Sequence, residues 1–430
     1  MGTGVRAIYR IRKVMITKDM GKNIKVVIGA NYGSEGKGMV TDYLCNQLQG
    51  KSIVVVTNGG VQRGHCVETL SDEGFSFHSI GSGSLRCCDT YISEYFVFNP
   101  VMFVKELSVF LNLYPKKRFK IYINKKVRWS VQYDMILNQC LLYHENRNNS
   151  SGFGVYETIR RYEYLNKNGY LCYNLEEFYK LSDKDKEIYL SYLFGYMIEK
   201  LQEYGIKLQD SNIDSSIWEV LGQNSGIVDT IIYCINEIFS SDYVEFVEDD
   251  SILDRYDNIV FENGQGLLLD KDLDSEFGTS TNTGLKIPYS IIENMYNGLD
   301  IEVLYVSRTY ITKHGDGHLA NELHTKEDFI ENHIYLDSDY ELNTSNEFQG
   351  ELRYATLDLY DLVDRCKTDL ERTCIKSNNT YSTSIVLTHM NEYEIDENDL
   401  KVASYTEDIK FYRTYGRASE YIREYCFWEE

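Results

Sequence analysis

The chain has 430 residues and a formal net charge of −22 at pH 7, because 66 acidic residues outnumber 44 lysines and arginines. Nucleic-acid duplexes and anionic membrane surfaces repel such a chain, so we expect neither as a partner and expect local donors to hold any anionic ligand. Apolar residues make up 43% and charged residues 26%, a globular composition that excludes disorder as the main character of the chain.

The start of the chain and its cysteines indicate a compartment. Residues 1–22 carry several basic side chains but lack the apolar core of a signal peptide, so we expect an N-terminal extension. Ten cysteines are scattered without a CxxC pair, which is typical of neither a zinc site nor a disulfide framework. These features favour a cytoplasmic location.

The first structural signal is a strand–helix–strand unit. Asn23–Gly29 is a short apolar run that opens into a glycine-rich turn, residues 37–49 have helical character, and Ser52–Val56 is a second apolar run. This order predicts an α/β fold with a mostly parallel central sheet covered by helices. We assign residues 23–155 to a nucleotide-binding α/β part.

The middle of the chain has a different pattern. Residues 156–257 are acidic and helical, with little strand character, so we predict a mainly helical subdomain there. Strand signals return at Asn258–Glu262, 301–306 and 383–387. Residues 258–430 are therefore expected to complete the α/β core.

The strongest local motif is the turn GANYGSEGKG at residues 29–38. Its glycines let backbone N–H groups approach phosphate oxygens, the following helix adds a positive dipole end, and Lys37 adds a charge. It is P-loop-like but not a standard P-loop, since Gly38 stands where a Ser or Thr would hold Mg²⁺. The alternative is a turn that serves packing alone.

A second loop, NGGVQRGHC at residues 58–66, directly follows the second predicted strand. Ligands bind at the carboxyl ends of parallel strands, and imidazole suits proton transfer near neutral pH. His65 is therefore either a catalytic acid or phosphate ligand, or a loop histidine with only structural contacts.

Amide and hydroxyl groups mark two further loops. FENGQG at 261–266 and GTSTNT at 278–283 could read a base or sugar without adding charge, although each could also be a capped turn. The tetrad THMN at 388–391 follows an apolar run, where guanine-specific enzymes place T/N-K-x-D. Asn391 offers one donor and one acceptor, which suits the N1 and N6 edge of adenine.

In this order, GSEGKG, GGVQRGHC, FENGQG and GTSTNT resemble the G-D-E-G-K-G, G-G-x-N-A-G-H-T, F-E-G-A-Q-G and V-T-S-S-N-T blocks of adenylosuccinate synthetase. The likeness extends from about residue 23 to the end of the chain. It implies the fold of that family and a carbon–nitrogen ligase of two steps. A nucleoside triphosphate phosphorylates O6 of a purine monophosphate, and the amine of L-aspartate then displaces the phosphate. The resemblance also implies Mg²⁺ as cofactor and a homodimer.

The resemblance assigns roles to individual residues. The catalytic residues would be Ser34, Lys37 and His65. The triphosphate would contact Gly33, Glu35, Gly36, Lys37, Gly38, Gly64, His65, Cys66, Thr388, Asn391 and Gly416. The purine monophosphate would contact Ser34, Gln62, Ser151, Gln265, Thr279 and either Arg160 or Arg161, one of which would reach across the dimer. L-Aspartate would contact Gln349, Gly350 and Arg353, and Mg²⁺ would contact the Gly64 carbonyl and Ser34.

Three departures from the family pattern bear on its activity, and the first implies either that activity is lost or that the substrate has changed. Ser34 stands where the family has an aspartate that takes the N1 proton of inosine monophosphate, and a serine hydroxyl cannot act as that base near neutral pH. His389 and Asn391 replace the lysine and aspartate that select guanine, which implies ATP or dATP as donor. The family's T-T-G-R-x-R-R is here QGELR, with Arg353 as its one arginine.

The phage-type 2-aminoadenylosuccinate synthetases share the first two departures, and the chain resembles them most. That branch acts on dGMP to begin synthesis of 2-aminoadenine nucleotides, in the host cytoplasm. A serine at position 34 leaves room for the 2-amino group that hypoxanthine lacks. Two alternatives stay open at this point: an adenylosuccinate synthetase that uses inosine monophosphate and GTP, and a nucleotide-binding protein without ligase activity.

Overall fold

The computed structural model describes residues 21–146, 150–210, 213–272, 281–337, 341 and 348–425. Residues 1–20 of the predicted extension and Thr279 lie outside this part. The strands are β1 Asn23–Gly29, β2 Ser52–Val56, β3 His65–Glu68, β4 Gly74–Phe77, β5 Asp89–Ile92, β6 Val97–Phe98, β7 Ile121–Asn124, β8 Arg128–Trp129, β9 Val244–Val247, β10 Asn258–Glu262, β11 Asp300–Arg308, β12 Tyr310–His314, β13 Glu322–Leu323, β14 Leu352–Thr356, β15 Thr380–Thr388, β16 Lys410–Arg413 and β17 Arg423–Glu424.

Helices alternate with many of these strands. They are α1 Lys37–Gln47, α2 Pro100–Leu113, α3 Gln132–Glu145, α4 Val155–Lys167, α5 Leu175–Tyr179, α6 Asp183–Glu203, α7 Ser215–Gly222, α8 Asn224–Ser240, α9 Lys286–Met295, α10 Lys326–Glu331, α11 Leu359–Thr373 and α12 Glu397–Glu407. Among the described helices, none combines the length and apolar content that a membrane crossing requires.

The central sheet confirms the predicted fold class. Within the described residues it has ten strands in the order β17-β16-β15-β11-β1-β10-β2-β5-β7-β9. All neighbouring pairs are parallel except β16 and β17 at one edge. The apolar runs predicted at β1, β2, β10, β11 and β15 are all strands of this sheet, and the predicted helix after the first turn is α1.

Helices cover both faces of the sheet, which explains why its central strands are apolar throughout. Val27 of β1 packs against α1 on one face. Ile24, Val26 and Ile28 point to the opposite face, where α9, α11 and α12 bury their apolar side chains. The alternation along β1 is the period of two that a strand imposes.

The helical middle of the chain packs against the end of this sheet. Helices α2, α3, α4, α6 and α8 share one hydrophobic core with Val56 of β2, Ile92 of β5 and Ile121 of β7. The edge strand β9 itself lies within the segment predicted to be helical. The sheet and the helices thus form a continuous core, and residues 156–257 contribute a strand as well as helices.

The parallel arrangement sends the loops after β1, β2, β10, β11 and β15 to the same edge of the sheet. A small antiparallel sheet, in the order β12-β14-β13, follows β11 at this edge. The glycine-rich motifs of the sequence all belong to this set of loops.

A buried ion pair joins α3, α4 and β8. Arg161 donates from Nε and Nη2 to Asp134 over 2.8 and 2.9 Å, and Nη2 also donates to the Trp129 carbonyl. Asp134 further accepts from the Val131 amide and the Thr158 hydroxyl. Both charged side chains are at most 2% exposed.

Replacing Asp134 with alanine should lower the free energy of unfolding by about 3 to 5 kcal/mol, because it leaves the Arg161 charge buried without its partner. Denaturant titration measures the change. The control is Lys180→Ala, which removes an exposed pair with Glu176 and should cost less than about 1 kcal/mol. Equal effects of the two substitutions would show that the buried pair does not stabilise this part of the fold.

Candidate active site

A buried carboxylate shapes the loop between β1 and α1. Glu35 accepts hydrogen bonds from the Asn31 and Gly33 amides over 2.8 and 2.9 Å. Lys37 Nζ donates to Glu35 over 3.1 Å and to the Gly33 carbonyl over 2.6 Å. The predicted phosphate loop is therefore held by its own side chains, and one of the three Lys37 protons is not used in these bonds.

Three loops approach each other so closely that only glycine fits at the contacts. A Cβ on Gly29 would lie 2.4 Å from Glu35 Oε2 and 2.5 Å from the Gln265 carbonyl oxygen. A Cβ on Gly38 would lie 2.9 Å from the Cβ of His65. The loops after β1, β2 and β10 are thus brought together at the start of α1, as the motifs predicted.

His65 and Glu262 form a buried pair next to this loop. Nδ1 of His65 lies 2.9 Å from Oε1 of Glu262, with the carboxylate off the N–H axis. Glu262 also receives Arg63 Nη2 over 3.1 Å and the Ser82 hydroxyl. An ionised carboxylate only accepts hydrogen bonds, so this contact favours a proton on Nδ1 and leaves Nε2 free to exchange one.

Burial and neighbouring charges set the protonation of the pair. Burial lowers the pKa of His65 to about 4, which Glu262 opposes and Arg63 reinforces. Burial raises the pKa of Glu262, but the neighbouring His65, Arg63 and Ser82 lower it to about 2. At pH 7 the carboxylate is therefore ionised and the imidazole neutral. Phosphate groups placed nearby would favour the imidazolium form, as required of an acid.

Glu262 and Arg308 were not predicted as site residues. Arg308 Nε donates to the Ser34 carbonyl over 2.6 Å, and its Nη groups bind Glu341 over 2.6 and 3.2 Å. Both residues are charged side chains at the last position of an apolar strand, and that charge is the signal that could have identified them. Arg308 fixes the backbone of Ser34, whose side chain is half-buried.

The residues predicted for the triphosphate base lie in adjoining loops. The Met390 amide donates to the Thr414 carbonyl over 3.1 Å, which joins the tetrad loop to the turn that contains Gly416. Asn391 is exposed, and the Thr388 hydroxyl donates to the Glu35 carbonyl over 3.0 Å. His389 has a φ of 62°, and burial, with Arg308, lowers its pKa to about 3.

The residues predicted to bind the monophosphate differ in burial and in their hydrogen-bond partners. Gln62 Oε1 is buried with no hydrogen-bond partner in the described part, and Gln265 accepts from the Thr281 hydroxyl over 3.4 Å. Ser151 is half-buried in the turn before α4. Arg161 is held by Asp134 within the subunit and does not fit the predicted role, whereas Arg160 is exposed over the Tyr156 ring.

Arg353, the predicted ligand of L-aspartate, binds other groups of the chain in the structure. Its Nε and Nη2 donate to Glu322, and its Nη1 donates to the Gly315 and Gly317 carbonyls, over 2.8 Å each. Gln349 and Gly350 precede β14 and are both half-buried. Arg353 therefore holds the turn between β12 and β13 together, because each of its nitrogens already donates within the chain.

The donor set for Mg²⁺ is sparse. In the described ranges no group of three or more His, Cys, Asp or Glu side chains could hold a metal ion. Glu35 is occupied by its own loop and Lys37, so the Gly64 carbonyl and Ser34 stay the predicted protein ligands. Mg²⁺ commonly keeps several waters and binds substrate phosphates, and such a set suits an ion held mainly by the triphosphate.

The two low histidine pKa values predict acid sensitivity. Below about pH 6.5 the unfolded chain binds protons that folded His65 and His389 do not, so the free energy of unfolding should fall from pH 7 to pH 5. His389→Asn should reduce that fall by on the order of 1 kcal/mol in urea titrations at both pH values. The exposed His318→Asn is the control for the substitution itself. An unchanged fall in His389→Asn would contradict the assignment.

Comparisons with known proteins agree with this geometry. The family model described as adenylosuccinate synthetase matches residues 26–344, well over half of the chain. The adenylosuccinate synthetase of Picrophilus torridus is 28% identical over 311 residues, which are 70% of this chain and 65% of that protein. The one from Thermoplasma acidophilum is 23% identical over 318 residues, 72% of this chain and 66% of that protein. The chain thus spans just under two thirds of the length of these relatives.

Solved structures show the same fold. The fully ligated adenylosuccinate synthetase of Plasmodium falciparum has a TM-score of 0.61 at 16% identity. The alignment covers 94% of this chain and 100% of the Plasmodium chain. The succinoaminodeoxyadenylate synthetase of cyanophage S-2L, bound to dGMP and to dATP as an energy donor, has a TM-score of 0.57 at 13% identity and covers 94% and 95%. Because the family model matches well over half of the chain, including the loops after β1, β2 and β10, the chain belongs to the adenylosuccinate synthetase family.

Proposed function

We propose that this chain is a carbon–nitrogen ligase that joins L-aspartate to C6 of dGMP and converts ATP or dATP to the diphosphate and phosphate. The product is 2-aminodeoxyadenylosuccinate, a precursor of 2-aminoadenine nucleotides. The observation that carries the proposal is Ser34, in the loop where the family has an acidic base. The ligand recorded in the cyanophage structure, dGMP with dATP, supports it from outside the chain.

The phosphoryl-donor end of the reaction fits the loop after β1. The γ-phosphoryl group passes from the triphosphate to O6 of the guanine, and the guanine N1 proton passes to water. Lys37 and the N-terminus of α1 would bind the phosphates. His65, held by Glu262, would donate a proton to the leaving diphosphate, since negative charge beside it favours its protonated form. Mg²⁺, when bound, neutralises phosphate charge, and the Gly64 carbonyl and Ser34 hydroxyl are its candidate protein ligands.

Ser34 is the proposed determinant of the purine. Its carbonyl is fixed by Arg308, so its short side chain leaves space beside the base without moving the loop. A hydroxyl can accept a hydrogen bond from the 2-amino group of guanine, which hypoxanthine lacks. In the second step the amine of L-aspartate attacks C6, the C6–O6 bond breaks, phosphate leaves with O6, and the new C6–N bond keeps one N–H while the other proton passes to water.

We also propose a homodimer in which Arg160 of one subunit reaches the monophosphate held by the other. Arg160 is exposed on α4, two turns after the loop that contains Ser151, and stacks on Tyr156 with 5.4 Å between the guanidinium carbon and the ring centre. Its neighbour Arg161 cannot take this role while Asp134 binds it.

A second candidate function is the synthesis of adenylosuccinate from inosine monophosphate with GTP. The curated relatives described above are adenylosuccinate synthetases, and this observation favours it. The two candidates differ in purine and in donor, so one substrate panel separates them. A nucleotide-binding protein without ligase activity would release no phosphate with either panel.

Purified protein should release phosphate only when dGMP, L-aspartate and ATP or dATP are all present. Ser34→Asp should lower kcat/KM for dGMP at least tenfold, because the larger carboxylate crowds the 2-amino group. Ser34→Ala is the matched control for loss of the hydroxyl without added bulk, and it should retain more dGMP activity than Ser34→Asp. Comparable turnover of inosine monophosphate with GTP would contradict the proposal.

Asn391 should determine the donor base. Asn391→Asp, combined with His389→Lys, should move the ratio of kcat/KM for ATP over GTP at least tenfold toward GTP, because a carboxylate accepts from both N1–H and N2–H of guanine. Initial rates with each donor at saturating dGMP and L-aspartate measure this. Asn391→Ala should weaken ATP use without favouring GTP. A ratio that stays constant in the double variant would place the donor base elsewhere.

A further inference from the structure

The structure leaves the carboxylates of the amino-acid substrate without the arginine predicted for them. Arg353 donates to Glu322 and to two backbone carbonyls. To bind a substrate it would have to give up an ion pair that already satisfies it. If L-aspartate is the substrate, a cation whose donors are not already used within the chain would suit its carboxylates better.

Three cations, Lys313, Arg353 and Arg365, belong to elements close to the loops at the carboxyl edge of the sheet. Lys313 Nζ lies 5.5 Å from the centre of the ring of Tyr32, in the loop between β1 and α1, and Arg353 pairs with Lys313 across β12 and β14. Asp369, one turn after Arg365 on α11, accepts from the Leu285 amide over 3.0 Å, so this face of α11 lies against the loop that follows β10. In a chain with a net charge of −22, such a cluster beside the phosphate loop attracts anions.

The three cations differ in how their donors are used. Arg353 is bound as described, and Lys313 donates to the Asp316 and His318 carbonyls. Arg365 extends from α11, and its Nε is buried with no hydrogen-bond partner in the part of the chain that the structure describes. A buried donor without a partner is unfavourable, and an incoming acceptor would remove that cost.

We propose that Arg365 binds a carboxylate of the amino-acid substrate and so determines its affinity. The inference rests on the proposed function, since L-aspartate is the substrate it would bind. A guanidinium offers two parallel N–H groups that match the two oxygens of a carboxylate. The buried Nε gives the bond a fixed direction, because α11 is anchored by Leu362, Val363 and Cys366 in the core. The purine monophosphate is the other anion that could meet this group, and the experiment distinguishes the two.

The test compares Arg365→Ala, Arg365→Lys and the wild type, with Lys367→Ala as the matched control. Lys367 lies on the same helix but pairs with Glu407. Arg365→Ala should raise KM for L-aspartate at least tenfold and change KM for dGMP and ATP less than twofold. Arg365→Lys should recover part of the loss, because it keeps the charge but not the paired donors. Lys367→Ala should behave as the wild type.

A second measurement does not need turnover. In the presence of dGMP, L-aspartate should raise the Tm of the wild type and of Lys367→Ala but not of Arg365→Ala. If this pattern appears while no nucleotide panel supports turnover, the inference holds and the proposed function fails. Equal stabilisation of Arg365→Ala, no stabilisation of the wild type, or a raised KM for dGMP in place of L-aspartate would each overturn the inference.

Discussion

Two buried carboxylates at the carboxyl edge of the sheet constrain everything around them. Glu35 and Glu262 are at most 2% exposed, and each has a cation 3.1 Å away, Lys37 and Arg63 respectively. A charge removed from water costs several kcal/mol unless it is paired and hydrogen-bonded. The loops can therefore close only in the arrangement that brings these partners together. Arg63 and Glu262 are 199 positions apart in the chain, so their pair fixes the loop after β2 against the end of β10.

The same pairs limit the free positive charge at this edge of the sheet. Lys37 shares its charge with Glu35, and His65 is neutral at pH 7 because burial lowers its pKa to about 4. Incoming phosphate would compete with Glu35 for Lys37 and would favour protonation of His65. If the nucleotide binds as proposed, the positive charge that would stabilise its leaving group develops only as it binds, which limits the cost of burying that charge.

The sequence predicts the framework of this molecule better than the pairing of its charged side chains. Strands such as β1 and β10 are predictable because both faces of a parallel sheet are buried and their residues are almost all apolar. The sequence predicts a helix that ends at residue 49, whereas α1 ends at Gln47, because no residue there signals the end of a helix. The roles of Arg161 and Arg353 could not be predicted, because their partners are set by tertiary packing and not by local pattern.

Neighbouring positions of the loop after β1 differ in what the fold demands of them. At position 35 the side chain itself builds the loop, because its carboxylate gathers two amides and Lys37. At position 34 the hydrogen bond seen among the described residues is made by the backbone carbonyl, which Arg308 binds. A different side chain at 34 would therefore leave the contact that shapes the loop in place. If the purine binds beside this position as proposed, a single substitution there would change the substrate while the family fold persists.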